Sequence, residues 1–229
     1  MQAISRRFRY LFGSTKGLIL VAIALVALVS VFFGMLSGPM ADWGIKDGIE
    51  RIFGLKLVEA EREGRLIVLY HSIAMVVVAI ETYMITGLLP MKDSQKITIN
   101  TAITTGYLAV LLGGLPFAYW GHQWVFHGIY IAGLALIFFD GCILAVALWP
   151  WQAAYKVKDT QYAHTKGGYD LERVAFFAMA VTTLVSALFG AVPGSYYGNG
   201  FETFLAENVV REPVKTAFDL SVIGHLHIM

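Results

Sequence analysis

Residues 66–89 read LIVLYHSIAMVVVAIETYMITGLL, and Pro90 follows them directly. A helix rises about 1.5 Å per residue, so this stretch is long enough to cross the roughly 30 Å hydrocarbon core of a bilayer. Two residues inside it, His71 and Glu81, are costly in lipid, and such residues usually carry function. The stretch predicts an all-α integral membrane protein.

The composition of the 229 residues agrees with a membrane protein. The chain is 57% hydrophobic and only 14% charged, whereas soluble domains carry about 25% charged residues. Its net charge of +1 gives no sign of a nucleic-acid partner. The single cysteine, Cys142, excludes an internal disulfide, a multi-cysteine zinc or iron–sulfur site and a covalent c-type haem.

Apolar runs on both sides of this stretch predict a helical bundle of about six spans. The predicted spans are residues 17–37, 66–89, 97–116, 127–149, 174–192 and 214–229. Basic residues before the first span, and in the loops after spans two and four, place the N-terminus in the cytoplasm. The last run has only 16 residues, fewer than the roughly 20 needed to cross. Residues 1–229 are therefore interpreted as one membrane domain, with the short last run indicating a fragment of a longer chain.

The predicted loops carry two further expectations. Residues 38–64 are mixed in charge and predict an external loop with an amphipathic helix around residues 49–57. Residues 117–126 are rich in aromatic side chains, which is typical of a loop at the outer membrane interface. A short helix is expected at residues 201–210.

Five of the six histidines fall in the predicted outer half of the membrane: His71, His122, His127, His225 and His227. Spans two, four and six run in the same direction and can face one another in a bundle. A pair of imidazoles from facing helices commonly holds a b-type haem iron, and neutral imidazole also suits zinc or copper. A haem or metal site is predicted, beside the plainer interpretation that each histidine packs or relays protons.

The sequence Gly224-His225-Leu226-His227 places two of these histidines two residues apart in the last predicted span. Each residue turns a helix by about 100°, so the two imidazoles point to nearly opposite faces. They cannot hold one ion from the same face, but they can serve two different sites.

Three windows of the sequence resemble subunit I of the heme–copper oxidase superfamily. GRLIVLYH at residues 64–71 resembles the family's second helix, which carries a low-spin haem ligand. FDLSVIGHLH at residues 218–227 resembles its Gly-His-x-His helix, most nearly that of the C-type oxygen reductase and nitric oxide reductase branches. YWGHQWV at residues 119–125 resembles the helix that supplies the first copper ligand.

The resemblance implies a low-spin haem b between His71 and His227 and a second haem on His225. It also implies His122 as a metal ligand, with His127 as a second candidate. However, the family's adjacent histidine pair is absent from residues 191–197, AVPGSYY, so the donor set for copper or non-haem iron is incomplete. The family also has about a dozen spans, against about six here.

The same resemblance implies a membrane subunit of a respiratory electron-transfer complex in a prokaryotic cell membrane. Its partners would be other membrane or cytochrome c subunits, or quinol. If it is an enzyme, it is an oxidoreductase of the terminal oxidase or nitric oxide reductase type. Two alternatives stay open: a multi-haem cytochrome b that passes electrons between quinone and a partner protein, and a non-haem membrane scaffold or transporter.

Four more residues complete the predicted site. Arg65 and Arg211 lie at the outer ends of haem-bearing spans, where an arginine can pair with haem propionates or simply anchor the helix at the interface. Glu81 and Asp140 lie deep in spans two and four. Their carboxyl groups predict a proton route or a quinone contact, or else hydrogen bonds between helices.

Overall fold

The computed structural model describes residues 2–36, 43–56, 59–156, 165–166, 168–196 and 214. This part of the chain is almost entirely helical. Its α-helices are α1 (Gln2–Gly13), α2 (Thr15–Leu36), α3 (Ile45–Phe53), α4 (Glu59–Leu88), α5 (Asp93–Trp120), α6 (Trp124–Ala147) and α7 (Leu171–Tyr196). A 3-10 turn at Ala153–Tyr155 and a two-stranded antiparallel ribbon, β1 (Thr165–Lys166) with β2 (Tyr169–Asp170), lie between α6 and α7.

Four of these helices are long and apolar enough to cross a membrane. They are Gly64–Leu88 within α4, all of α5, all of α6 and Leu171–Gly190 within α7. The first predicted span falls on α2, in which Thr15–Val29 forms a shorter apolar segment. The sixth predicted span, apart from residue 214, and the helix predicted at residues 201–210 lie outside the described residues.

Most predicted boundaries are displaced, and the displacements have local causes. The expected aromatic loop at residues 117–126 is wrong, because α5 runs on to Trp120 and α6 begins at Trp124. Only residues 121–123 connect the two helices. The amphipathic helix predicted at residues 49–57 instead occupies Ile45–Phe53 and ends at Gly54, whose φ is +66°. A left-handed glycine of this kind is a frequent helix stop.

Close backbone contact between α5 and α6 organises the bundle. A Cβ atom added to Gly113 would lie 2.4 Å from the carbonyl oxygen of Phe126, and one added to Gly133 would lie 2.7 Å from the backbone nitrogen of Val110. Both positions therefore require glycine. Small residues at such crossings let membrane helices pack backbone to backbone. The same region of α5 also packs along α4, through a cluster that contains Val68, Val110 and Phe117.

One end of the bundle, called the basic end below, joins the start of α2 to the start of α7. Lys16 forms a salt bridge with Glu172. Arg173, only 1% exposed, donates hydrogen bonds to the carbonyl oxygens of Pro90 (2.9 Å) and Ala147, and its guanidinium lies 3.5 Å from the centre of the Tyr155 ring. These contacts tie the connection after α4 and the end of α6 to α7.

The opposite end, called the histidine end, joins α3 and α4 to the end of α5. Arg65 of α4 donates hydrogen bonds to the carbonyl oxygens of Ala118 (2.8 Å) and Tyr119 (2.7 Å). The Tyr119 hydroxyl donates in turn to the carbonyl oxygen of Phe53, at 3.1 Å. This end carries the three histidines that the structure describes.

Candidate functional site

His71 is half-buried on α4, and its ring orientation is set by the backbone. Its Nδ1 lies 2.8 Å from the carbonyl oxygen of Ile67, one turn earlier. A carbonyl oxygen only accepts hydrogen bonds, so Nδ1 carries the proton. In the neutral imidazole, Nε2 then holds the lone pair. This is the arrangement in which a histidine binds a metal through Nε2 while its other nitrogen is held by a second group.

His122 and His127 form a direct pair where α5 passes into α6. His122 Nε2 lies 3.0 Å from His127 Nδ1, and the two rings meet edge to face at 84°. His127 is only 4% exposed, whereas His122 is half-buried. Two nitrogens at this separation share one hydrogen bond between neutral rings. Both could bind one ion once the shared proton moves to the other nitrogen of its ring, so that each ring presents a lone pair.

Phe117, near the end of α5, is a part of the site that sequence reasoning missed. Its ring packs edge-on against His122, at 5.5 Å between centroids, and against His127, at 5.7 Å. Phe117 also belongs to the cluster that contains Val68, which lies three residues before His71 on α4. All three described histidines therefore lie at one end of the bundle. An aromatic side chain within an apolar span gives no signal that it touches histidines.

Arg65 lies at the histidine end, and its guanidinium is used in a helix contact that the sequence did not indicate. It is 8% exposed and donates to the last carbonyl groups of α5, as described above. A cation at a helix C-terminus satisfies carbonyl groups that lack helical partners and complements the helix dipole. The propionate contact stays a prediction.

Glu81 and Asp140 are both buried in the apolar interior. Glu81 is 8% exposed and Asp140 is 1% exposed. Within the described part of the chain, Glu81 Oε1 and Asp140 Oδ1 are buried without a hydrogen-bond partner. An ionised carboxylate in this setting is very costly, so the neutral acid is the favoured form. Their roles in a proton route or a quinone contact stay predictions.

A ladder of polar side chains runs along the contact between α4 and α5. The Tyr83 hydroxyl lies 2.5 Å from Thr104 Oγ1, and Thr86 Oγ1 donates to Asn100 Oδ1 at 2.9 Å. Thr82, 4% exposed, lies beside Glu81 in the sequence. Hydrogen bonds of this kind hold membrane helices together. Sequence reasoning missed this ladder because the pairing depends on the register between two helices.

An apolar cavity of about 380 Å³ lies between α2, α3 and α4. Its α4 wall includes Leu69, Tyr70, Ile73 and Ala74, but His71 is not among its lining residues. The cavity therefore opens along a different strip of α4 from the imidazole. Because its lining is apolar, the cavity suits a hydrocarbon ligand.

Three predicted site residues, His225, His227 and Arg211, lie outside the described residues. Among the residues that are described, no group of three or more His, Cys, Asp or Glu side chains could hold a metal ion. The histidine end thus offers one oriented imidazole and one imidazole pair.

Comparisons with protein-family models, with curated proteins and with solved structures found no match. The fold and the site define the class at a coarse level, as a helical protein with several helices able to cross a membrane.

Proposed function

We propose that the chain is a haem b-binding membrane subunit of a respiratory electron-transfer complex, similar to the catalytic subunit of a heme–copper oxygen or nitric oxide reductase. The observation that carries the proposal is the His71 ring, whose Nδ1–H is held by the Ile67 carbonyl oxygen at 2.8 Å. A haem ligand needs a fixed tautomer and a fixed ring direction, and this hydrogen bond supplies both. A haem bound there accepts and releases single electrons.

The protein residues have separate roles in this proposal. His71 would hold the haem iron through Nε2, and His227 would be its second ligand by resemblance. Val68, Leu69 and Ser72, on the same turns of α4 as His71, are buried. Burial of this kind lowers the local dielectric and influences the reduction potential of a bound haem.

The second haem on His225 belongs to the same proposal and rests on the sequence resemblance. The His122–His127 pair fits two ligands of a second metal, copper or non-haem iron. A site of that type needs further donors. Glu81 and Asp140 are proposed to hold protons in the neutral acid form on a route through the bundle. Arg65 and Arg211 are proposed to face the propionates.

The proposed setting is a prokaryotic cell membrane, with the N-terminus and the basic end at the cytoplasmic face. Support comes from the cationic residues gathered at the basic end, including Lys16, Lys92, Lys96 and Arg173, because cytoplasmic ends of spans are enriched in lysine and arginine. Electrons would come from a cytochrome c subunit or from quinol. The apolar cavity beside α4 could receive the isoprenoid tail of a quinol.

The reduced-minus-oxidised optical spectrum of the purified protein tests the haem proposal. We expect an α-band in the region of b-type haems. Its absence would contradict both haem-based hypotheses, the oxidase-like subunit and the multi-haem cytochrome b. Carbon monoxide then separates the oxidase-like arrangement from a plain multi-haem cytochrome b. A CO-binding species that is lost in His225→Ala and kept in His127→Ala supports the oxidase-like arrangement. Haem that binds no CO, because two histidines occupy both positions on each iron, supports the plain cytochrome.

A second candidate, a proton-relaying transporter without haem, is favoured by the buried oxygens of Glu81 and Asp140. Neutral carboxyl groups inside a membrane bundle commonly mark proton or ion pathways. Glu81→Gln keeps the shape and removes the exchangeable acid proton. In vesicles that contain the protein, proton flux that is lost in Glu81→Gln, together with an optical spectrum without haem bands, would establish this alternative.

A further inference from the structure

Helix α1 presents an apolar face that no described part of the bundle covers. Phe8 is 61% exposed and Phe12 is 58% exposed, one turn apart, with their rings stacked at 5.7 Å between centroids. Exposure of two large aromatic side chains side by side is unusual on a surface that meets only water. The pair therefore indicates an apolar environment beside α1.

The opposite side of α1 is attached to the bundle. The Tyr10 hydroxyl lies beside the Glu172 carboxylate at the start of α7. Ser14 Oγ donates to the carbonyl oxygen of Tyr10 at 2.7 Å, and the backbone nitrogen of Gly17 donates to Ser14 Oγ at 3.0 Å. A Cβ at position 17 would lie 2.1 Å from the Tyr10 carbonyl oxygen, so the elbow between α1 and α2 requires glycine. These contacts fix α1 with Phe8 and Phe12 turned away from the protein.

The charged side chains on α1 are all cationic. Residues 1–16 contain Arg6, Arg7, Arg9 and Lys16 and no aspartate or glutamate. At about 100° per residue, Arg6 and Arg9 lie within about 60° of each other around the helix, next to the sector that holds Phe8 and Phe12. Arg9 is exposed. Adjacent apolar and cationic sectors are typical of helices that lie in the membrane interface and prefer anionic lipids.

We propose that α1 is an interfacial helix that binds anionic phospholipid headgroups in the leaflet at the basic end. Phe8 and Phe12 enter the boundary between headgroups and acyl chains, while the arginines contact lipid phosphates. The adjoining span α2 and the Lys16–Glu172 salt bridge hold α1 at the level where the bundle leaves the hydrocarbon. This inference does not depend on haem.

The depth of α1 can be measured in the full-length protein with spin labels. The single native cysteine is first replaced by serine (Cys142→Ser). A spin label is then attached to Phe12→Cys or to Arg9→Cys in this background. Vesicles contain either phosphatidylcholine alone or phosphatidylcholine with phosphatidylglycerol. With phosphatidylglycerol present, we expect oxygen, which concentrates in the membrane, to accelerate the relaxation of the spin label at position 12. A water-soluble nickel chelate should accelerate the relaxation of the label at position 9.

A triple variant, Arg6→Gln with Arg7→Gln and Arg9→Gln, separates the electrostatic contribution from the apolar one. Each arginine near an anionic surface should change the ratio of membrane-docked to undocked α1 by roughly fivefold. The label at position 12 should therefore lose its dependence on phosphatidylglycerol in the triple variant. Arg51→Gln, on α3 at the histidine end, should leave that dependence unchanged. Circular dichroism confirms that each variant folds.

Three outcomes overturn the proposal. A label at position 12 that is exposed to water in both lipid mixtures removes the interfacial placement. A membrane-buried label whose relaxation changes neither with lipid charge nor with the arginine substitutions excludes a preference for anionic lipid. A label that is shielded from both relaxing agents in native membranes, but exposed to water in vesicles, indicates a protein partner instead.

Discussion

Arg65 shows how one buried cation can join two helices at the histidine end. Its two hydrogen bonds fall on carbonyl groups at the end of α5, which have no helical donors of their own. Arg65→Gln should lower the free energy of unfolding by about 1.5–3 kcal/mol, the usual value for hydrogen bonds to a charged group. Chemical unfolding in detergent measures the change.

Arg51→Gln is the matched control for Arg65→Gln, since Arg51 is exposed on α3. It should change the free energy of unfolding by no more than about 0.5 kcal/mol. Equal losses in the two variants would show that the carbonyl contacts of Arg65 contribute nothing to stability.

Tyr10 should make stability depend on alkaline pH. Burial, and then the negative charge of Glu172, raise the pKa of the Tyr10 hydroxyl above its ordinary value. The unfolded chain loses this proton near pH 10, while the folded protein keeps it. Stability from this group is thus complete below about pH 10 and declines as pH rises above it.

Unfolding measured at a series of pH values from neutral to alkaline tests this dependence. Tyr10→Phe removes the hydroxyl and should flatten the alkaline decline relative to the parent protein. Tyr83→Phe, at an exposed tyrosine of the α4–α5 ladder, controls for loss of a tyrosine elsewhere. If the parent and Tyr10→Phe decline with the same slope, Tyr10 does not control the alkaline limit.

At the scale of elements, the α5–α6 contact depends on glycine at particular positions. Gly133 on α6 faces the backbone of α5, whereas Gly128, five residues earlier on the same helix, has open space at its Cβ position. Gly133→Ala should cost about 1–3 kcal/mol because the two helices must separate. Gly128→Ala should be neutral or stabilising by up to about 1 kcal/mol, since alanine favours helix. Thermal unfolding of the two variants checks the difference, and equal effects would contradict the close packing.

The apolar helices could be predicted from the sequence, but α1 and the helix ends could not. Hydropathy predicts α2 and α4–α7, but it assigns the polar residues at their ends to loops. Asp170 Oδ1 accepts the backbone N–H of Glu172 at 3.0 Å, so α7 begins at Leu171, three residues before the predicted start. Likewise, Gln95 Oε1 accepts the N–H of Lys92 at 3.1 Å, and α5 begins at Asp93. Capping of this kind depends on local geometry that hydropathy does not report.

At the scale of the molecule, the proposed orientation gives a direct labelling prediction. Ser94 and Gln123 are exposed near opposite ends of α5. In a Cys142→Ser background, a membrane-impermeant maleimide applied to intact cells should label Gln123→Cys and should not label Ser94→Cys. Permeabilised cells should label both. The opposite pattern on intact cells would place the basic end outside and would reverse the proposed topology.

The sequence marks which polar residues lie in the apolar segments, but it does not predict their contacts. The sequence marks His71, His122, His127, Glu81 and Asp140 as costly groups in apolar runs, and depth alone gathers the three histidines at one end. It does not show that His122 pairs with His127, that Phe117 packs on both, or that Arg65 bonds to α5. Those contacts follow from the register between helices, which side-chain patterns specify only weakly.

His71→Ala, compared with Ser72→Ala, tests the central claim most directly. Ser72 lies on the same turn, is fully buried and bonds to the carbonyl oxygen of Val68, as His71 does to that of Ile67, but it is not a haem ligand. We predict that His71→Ala loses the low-spin b-type α-band in the reduced-minus-oxidised spectrum while Ser72→Ala keeps it. A low-spin band of unchanged intensity in folded His71→Ala would contradict the account.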